Sequence, residues 1–226
     1  LPSTRNVPPR NVIDVDDVTP SELIALLDRS RSFNEAAPQR DLLAGTAVLN
    51  LFFESSTRTA TSFTLAEQRV GADVISFAPG ASSLGKGETI ADTAITLRAI
   101  GVGVIVVRHH ESGFPRRLAE SFDGHVSNAG DGAYEHPTQG LLDTFTMKEH
   151  LGSLKGRKVV ILGDILFSRV ARSNIHALAK MGAAVTLVGP STLVPHWFTD
   201  MGVEVSHDLR SALADAEVVM LLRIQH

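Results

Sequence analysis

The sequence predicts an α/β fold: two doubly wound parallel-sheet domains with a cleft between them, the second incomplete in this chain. Three observations carry that expectation. Short apolar runs alternate with helix-period segments along most of the 226 residues, the pattern of parallel strands joined by crossover helices. The alternation falls into two series, punctuated by Gly152 and Gly156, which divides the chain into domains of residues 1–149 and 150–226. Polar clusters recur where the strands end, the edge at which open parallel sheets hold their ligands.

Residues 1–18 are rich in Pro, Asn and Asp without periodicity and read as an irregular leading segment. Thr19-Pro20-Ser21-Glu22 has capping-box spacing with proline at the first helical position, so a scaffold helix follows through Leu23, Ile24, Leu26 and Leu27. Residues 46–53 read as a core strand and 59–70 as a helix that Gly71 closes. A strand at 73–77, a loop at 78–87, a helix at 88–100 ended by Gly101 and a buried strand at 103–108 continue the series. A short helix near 116–121, a short strand at 125–128 and a loop through Gly130-Asp131-Gly132 lead to a helix starting at Pro137. The second series is a strand at 158–162, a helix at 170–181, strands at 184–188 and 203–206, a helix near 209–214 and a last strand at 217–222.

Composition narrows the function. A chain with 43% hydrophobic and 20% charged residues can bury a substantial core. Its net charge of -4 argues against a general nucleic-acid binder, which needs a basic surface, so positive charge must be local. The absence of cysteine excludes disulfides, thiolate nucleophiles and Cys-ligated zinc. No apolar run approaches bilayer length and no signal-peptide pattern opens the chain, so a cytoplasmic protein that spans no membrane is expected. Leu1 in place of methionine points to a segment preceding residue 1.

The densest cluster is Phe52-Phe53-Glu54-Ser55-Ser56-Thr57-Arg58-Thr59, where a core strand breaks into hydroxyls and a guanidinium as a helix begins. The first N–H groups of a helix lack intrahelical partners and its dipole favours negative charge, so Ser56, Thr57, Arg58 and Thr59 add donors where a phosphate is already favoured. Capping by Ser55 or Ser56 is the plainer reading, although it needs only one hydroxyl. Arg108 ends the apolar strand Val104-Ile105-Val106-Val107, followed by His109 and His110. Those two histidines make a poor metal site, because neighbours on a strand point different ways and no carboxylate completes a ligand set. Ser82-Ser83-Leu84-Gly85-Lys86-Gly87-Glu88 is a small, polar loop able to deliver a cation, without Walker spacing. His136-Pro137-Thr138-Gln139 sets an imidazole at a helix start with Gln139 in the first turn, as a ligand group or a cap substitute. Gly163-Asp164-Ile165-Leu166-Phe167-Ser168-Arg169 occupies a strand-to-helix turn without a dinucleotide fingerprint. Arg169 there, and Arg223 with Gln225 two residues on, suit carboxylate recognition.

Together these six motifs, in order and with compatible spacing from about residue 20 onward, closely resemble aspartate carbamoyltransferase catalytic chains. The resemblance implies transfer of a carbamoyl group from carbamoyl phosphate to the amine of L-aspartate in de novo pyrimidine biosynthesis. It implies a carbamoyl-phosphate domain followed by an aspartate domain, no cofactor or metal, and a homotrimer with shared active sites. Further assembly with regulatory or other pyrimidine-pathway chains is compatible with it. By position, Ser56, Thr57, Arg58, Thr59 and Arg108 would cradle the phosphate, while Arg58 and His136 polarise the carbamoyl oxygen and Gln139 holds the carbamoyl amide. Arg169 and Arg223 would bind the aspartate carboxylates, Gln225 would support Arg223, and Ser83 and the catalytic, aspartate-binding Lys86 would arrive from a neighbouring subunit.

Two departures accompany the resemblance. Ala60 and Thr64 stand where the family usually has Arg and Glu, an i,i+4 pair worth a few tenths of a kcal/mol. The family's chains also continue with a His-Pro loop and a final helix, whereas this sequence ends at His226. The nearest rival is ornithine carbamoyltransferase, which shares the phosphate half but typically carries asparagines where this chain has Phe167-Ser168-Arg169. A subunit that binds anions only to assemble is the non-catalytic alternative.

Overall fold

The computed structural model describes residues 11–37, 39–77 and 89–223. Ser83, Lys86 and Gln225 therefore lie outside the described residues. Two compact units are present: one holds residues 11–13 and 29–132, the other 14–28 and 133–223. Packing thus divides between Gly132 and Ala133.

The first unit is built on a four-stranded parallel sheet of β1 (Ala47–Phe52), β2 (Asp73–Phe77), β3 (Val102–His109) and β4 (His125–Asp131), in the order β2-β1-β3-β4. Helices α2 (Thr57–Arg69), α3 (Ile90–Ala99) and α4 (Phe114–Ser121) are the crossovers. β1 is an almost wholly buried run, as a central parallel strand should be. Leu49, Leu51, Ile105, Val107 and Val126 pack with Leu97, Phe114 and Leu118 on one side, and Val48, Phe52, Val106 and Ala129 form a second cluster. Ala60 packs against that second cluster, and Thr64 Oγ1 lies 3.5 Å from Asn50 Nδ2. Both residues of the first departure therefore fall on the inner side of α2. Gly71, at φ +83, passes so close to the Arg40 carbonyl that any Cβ would overlap it, which is why glycine ends this turn. Val12 makes a single parallel bridge to Ser127, so part of the leading segment is ordered on the edge of β4.

The second unit repeats the plan with β5 (Lys158–Leu162), β6 (Ala184–Val188), β7 (Glu204–Ser206) and β8 (Val218–Leu221), all parallel in the order β7-β6-β5-β8. Its helices are α5 (Pro137–Leu151), α6 (Arg169–Lys180) and the short α7 (Leu209–Leu213), with a 3-10 turn at His196–Met201. Val159, Ile161, Ile175, Leu178, Leu187 and Phe198 centre its core. Helix α1 (Pro20–Glu35) opens on the predicted capping box. Thr19 N donates to Glu22 Oε2 at 2.8 Å and Glu22 N to Thr19 Oγ1 at 3.3 Å. Leu23 and Leu27 of its first half pack with Val15, Val18 and Ala177, against Leu141 and Phe145 of α5. No helix among the described residues is long and apolar enough to cross a membrane.

Candidate active site

In each sheet, the strand order reverses direction between two adjacent strands, and ligands of such sheets sit beyond the carboxyl ends of that pair. In the first unit the pair is β1 and β3. Phe52 pairs with Arg108, and Phe53 N donates to the Arg108 carbonyl at 2.9 Å. The turn leaving β1 and the arginine one residue before the end of β3 are thereby brought together.

Helix α2 begins at Thr57, two residues before the sequence pattern indicated, so Thr57, Arg58 and Thr59 are its first three residues and Ser56 is the N-cap. Ser56 makes no side-chain capping bond. The plainer reading of this turn is thus not what its hydroxyl does. Arg58 is exposed, and among the described residues no hydrogen bond or ion pair engages its guanidinium. Arg108 is held: Nε donates to Glu54 Oε2 at 3.1 Å and Nη1 to the Ala129 carbonyl at 3.2 Å. Glu54 was within the sequence motif, but its part in orienting Arg108 was not read from it.

His109 lies beside this turn and is structural. Its ring stacks on Phe114 at 3.9 Å and meets Phe53 edge-on at 4.8 Å, and Nδ1 accepts from Glu111 N at 2.9 Å. Burial, with His110 beside it, lowers its pKa to about 4, so the ring is neutral. The expectation that His109 and His110 diverge is corrected: β3 ends at His109, alternation lapses there, and the two rings stack at 4.2 Å. Among the described residues no group of three or more His, Asp or Glu is placed to hold a metal ion.

In the second unit the reversing pair is β5 and β8, where Leu162 pairs with Leu221. Gly163, at φ +131, leaves β5 so near β8 that a Cβ would lie 2.9 Å from the Leu222 carbonyl oxygen. The following turn is pinned by buried Asp164, whose Oδ1 accepts from Phe167 N at 3.2 Å, and by Ser168, whose hydroxyl caps α6 by accepting from Ala171 N. Arg169 is then the first residue of α6. Arg223 lies two residues beyond the end of β8 and is exposed. Both arginines therefore leave the carboxyl ends of adjacent strands.

His136 and Gln139 belong to this second unit. His136 is the N-cap of α5, is buried, and makes no side-chain capping bond. Its ring Nδ1 lies 3.4 Å from Thr138 Oγ1, and its backbone N–H donates to Ser173 Oγ of α6 at 2.8 Å. Gln139 Nε2 donates to Asp143 Oδ1 at 2.9 Å, and Asp143 Oδ2 accepts from Asn174 Nδ2, which also donates to the Val170 carbonyl. Burial raises the Asp143 pKa against these two amide bonds. The amide of Gln139 is thus oriented through Asp143 from Asn174, midway along α6. Asp143 sits at i+4 from Gln139 and was within reach of sequence reasoning. Asn174, Ser173 and Glu135 were not, since their partners are remote in sequence.

The carbamoyl-P binding domain of aspartate/ornithine carbamoyltransferases matches residues 10–149. The chain belongs to the aspartate/ornithine carbamoyltransferase family. Among its relatives, the aspartate carbamoyltransferase catalytic subunit of Opitutus terrae is 60% identical, with 100% of this chain and 72% of that protein covered. The corresponding subunit of Granulibacter bethesdensis is 51% identical over 95% of this chain and 69% of that protein. Among solved structures, aspartate transcarbamoylase from Trypanosoma cruzi in complex with carbamoyl phosphate superposes with a TM-score of 0.83 at 30% identity, covering 100% of this chain and 78% of that one. Ornithine carbamoyltransferase from Pyrococcus furiosus gives 0.85 at 30% identity, covering 95% and 72%. The backbone is common to both activities, so substrate choice has to be argued from side chains.

Proposed function

We propose that this chain catalyses transfer of the carbamoyl group of carbamoyl phosphate to the amine of L-aspartate, giving N-carbamoyl-L-aspartate and phosphate, as a step of de novo pyrimidine biosynthesis in the cytoplasm. The observation that carries the choice of aspartate over ornithine is Arg169 at the first position of α6, beyond β5, with Arg223 beyond the neighbouring β8. Two guanidinium groups suit a dicarboxylate, and both would oppose the cationic side chain of ornithine. High identity to relatives named aspartate carbamoyltransferase supports the same choice.

The chemistry follows from the charges that develop. The aspartate amine attacks the carbamoyl carbon, a C–N bond forms, the bond from that carbon to the phosphate ester oxygen breaks, and phosphate leaves with the electron pair and with the proton the amine gives up. Negative charge builds on the carbamoyl oxygen and on the departing phosphate. In this reading Ser56, Thr57, Arg58, Thr59 and Arg108 hold the phosphate, with α2 contributing its N-terminal N–H groups. Arg58 and His136 stabilise the oxygen, Gln139 holds the carbamoyl amide, and Arg169 and Arg223, supported by Gln225, bind aspartate. Fixed donors acting on developing charge need no covalent intermediate. Residues 1–149 then serve carbamoyl phosphate and 150–226 serve aspartate. The working unit is a homotrimer in which Ser83 and Lys86 reach a neighbour's site. A colorimetric carbamoyl-transfer assay on the full-length protein tests the proposal. Citrulline formation from ornithine without carbamoyl-aspartate formation would reverse the substrate, and turnover of neither would favour the anion-binding assembly role.

A further inference from the structure

Glu135 precedes the candidate catalytic histidine and is only 1% exposed. Its Oε2 accepts from Val15 N at 2.9 Å and from Ser173 Oγ at 2.8 Å, while Oε1 accepts from Asp16 N at 3.4 Å. A serine hydroxyl has one proton. Because that proton points to Glu135, Ser173 Oγ turns a lone pair to the His136 N–H, 2.8 Å away. The close approach of α5 and α6 that allows this depends on Gly140, where a Cβ would lie 2.9 Å from Ser173 Cβ. The carboxylate, the hydroxyl and the histidine backbone form one directed relay.

We propose that Glu135 is a positioning residue for the carbamoyl-transfer reaction, acting through Ser173 Oγ to fix the backbone, and hence the imidazole, of His136. The inference rests on the functional reading above, in which His136 polarises the carbamoyl oxygen. A buried carboxylate that only fastened segments 14–16, α5 and α6 together would contribute stability alone. This one determines which way the bridging hydroxyl faces, so its effect is directional and reaches the reacting group.

The charged groups that act on it are Asp14 of the leading segment and Arg172 of α6; Asp16 reaches it through its backbone N–H, and Tyr134 and His136 flank it in sequence. Burial raises the Glu135 pKa to about 7, Asp14 adds to the rise, and the bonds from Val15, Ser173 and Asp16 oppose it. Protonation converts one acceptor oxygen into a donor. Ser173 is then no longer held to a single orientation, and turnover should fall on the acid side of neutrality.

The experiment measures kcat, aspartate KM and carbamoyl-phosphate Kd across pH for full-length Ser173→Ala, Glu135→Ala, Glu135→Gln and His136→Ala. Small misplacement of a catalytic group costs up to about 100-fold. Accordingly, Ser173→Ala and Glu135→Ala should lower kcat about 10- to 100-fold, with KM and Kd within about threefold of the parent. Glu135→Gln keeps an acceptor oxygen for Ser173. Like the protonated acid it carries one acceptor and one donor, so it should give a pH-independent kcat close to the parent's acid-side value, above that of Glu135→Ala and below the parent at pH 8, with no acid limb near pH 7. If Glu135→Ala does not fold, Ser173→Ala, which removes a single oxygen, decides the matter. Parental kcat in a folded Ser173→Ala beside a dead His136→Ala overturns the positioning role alone. Parental kcat in His136→Ala overturns the functional reading and the positioning role with it.

Discussion

Truncating Arg58 to alanine separates stability from chemistry, because the side chain that matters for one is almost irrelevant to the other. Arg58 is the second residue of α2, exposed, and engaged by no hydrogen bond or ion pair among the described residues. Surface changes of that kind alter stability by about 0.5 kcal/mol or less. Alanine is also the better helix former, which offsets part of any loss. The same guanidinium is assigned to two developing charges, on the carbamoyl oxygen and on the phosphate. Losing one preorganised donor to such charge costs about 100- to 1,000-fold in kcat, or roughly 2.7 to 4 kcal/mol of transition-state free energy. Arg58→Ala should therefore unfold in urea within about 0.5 kcal/mol of the parent while turnover falls at least about 100-fold. Carbamoyl-transfer kinetics and a denaturation curve on the same preparation give both numbers. A tenfold or smaller loss with folding intact would refute the role, and a stability loss above about 1 kcal/mol would refute the reading of Arg58 as structurally unengaged.

Four further outcomes are expected. Ser168 caps α6, so Ser168→Ala should cost about 1 kcal/mol in denaturant unfolding, whereas Ser56→Ala, which removes no capping bond, should leave stability nearly unchanged and reduce turnover. Arg169→Ala should raise the aspartate KM while calorimetry finds carbamoyl-phosphate binding little altered; equal damage to both ligands would contradict its assignment. His109 has its folded-state pKa depressed from 6.5 to about 4, so its contribution to stability is complete above pH 6.5 and is lost as pH falls through about 4, by up to about 3 kcal/mol. NMR titration should find that ring neutral at pH 5.5, and a midpoint near 6.5 would discount its burial. If Lys86 serves a neighbouring subunit, inactive Lys86→Ala and Arg58→Ala trimers reassociated at random should regain about a quarter of their sites, since each mixed ring has one intact pairing; recovery near zero in confirmed mixed trimers would assign Lys86 to its own chain.

The strands were the most legible part of the fold, because a buried parallel strand is written as a bounded apolar run. Residues 73–77, 158–162 and 184–188 were bounded correctly for that reason. β4 was read as ending at Asn128 because Gly130-Asp131-Gly132 has turn chemistry, yet pairing of His109 with Asp131 carries the strand further. The 3-10 turn at His196–Met201 left no periodic signal; it is held by Phe198, which is fully buried in the core. In the site, the cations were legible and their supports were not. Arg58, Arg108 and Arg169 stand out as lone charges at the ends of apolar runs, but Val15 and Glu135 are 120 residues apart. Nothing local marks Glu135 as buried, and on composition alone a glutamate before a helix reads as solvated.

On the proposed assignment, the two phosphate-side arginines would divide the work of binding in a way that follows from their surroundings. Arg108 is already oriented by Glu54 and the Ala129 carbonyl, so little rotamer freedom remains to be lost when an anion arrives. Its attraction is reduced, however, by the carboxylate it already holds. Arg58 has no such competitor among the described residues and carries its full charge toward solvent. Ordering it costs up to about 2 kcal/mol of side-chain entropy, so its interaction becomes favourable only when the anion is close. A group with that balance stabilises the ligand most where charge is most concentrated, and during carbamoyl transfer the charge on the leaving phosphate is largest as the C–O bond breaks. Preoriented Arg108 is therefore suited to ground-state recognition and Arg58 to the transition state. This is why truncating Arg58 should register in kcat more than in the dissociation constant of carbamoyl phosphate.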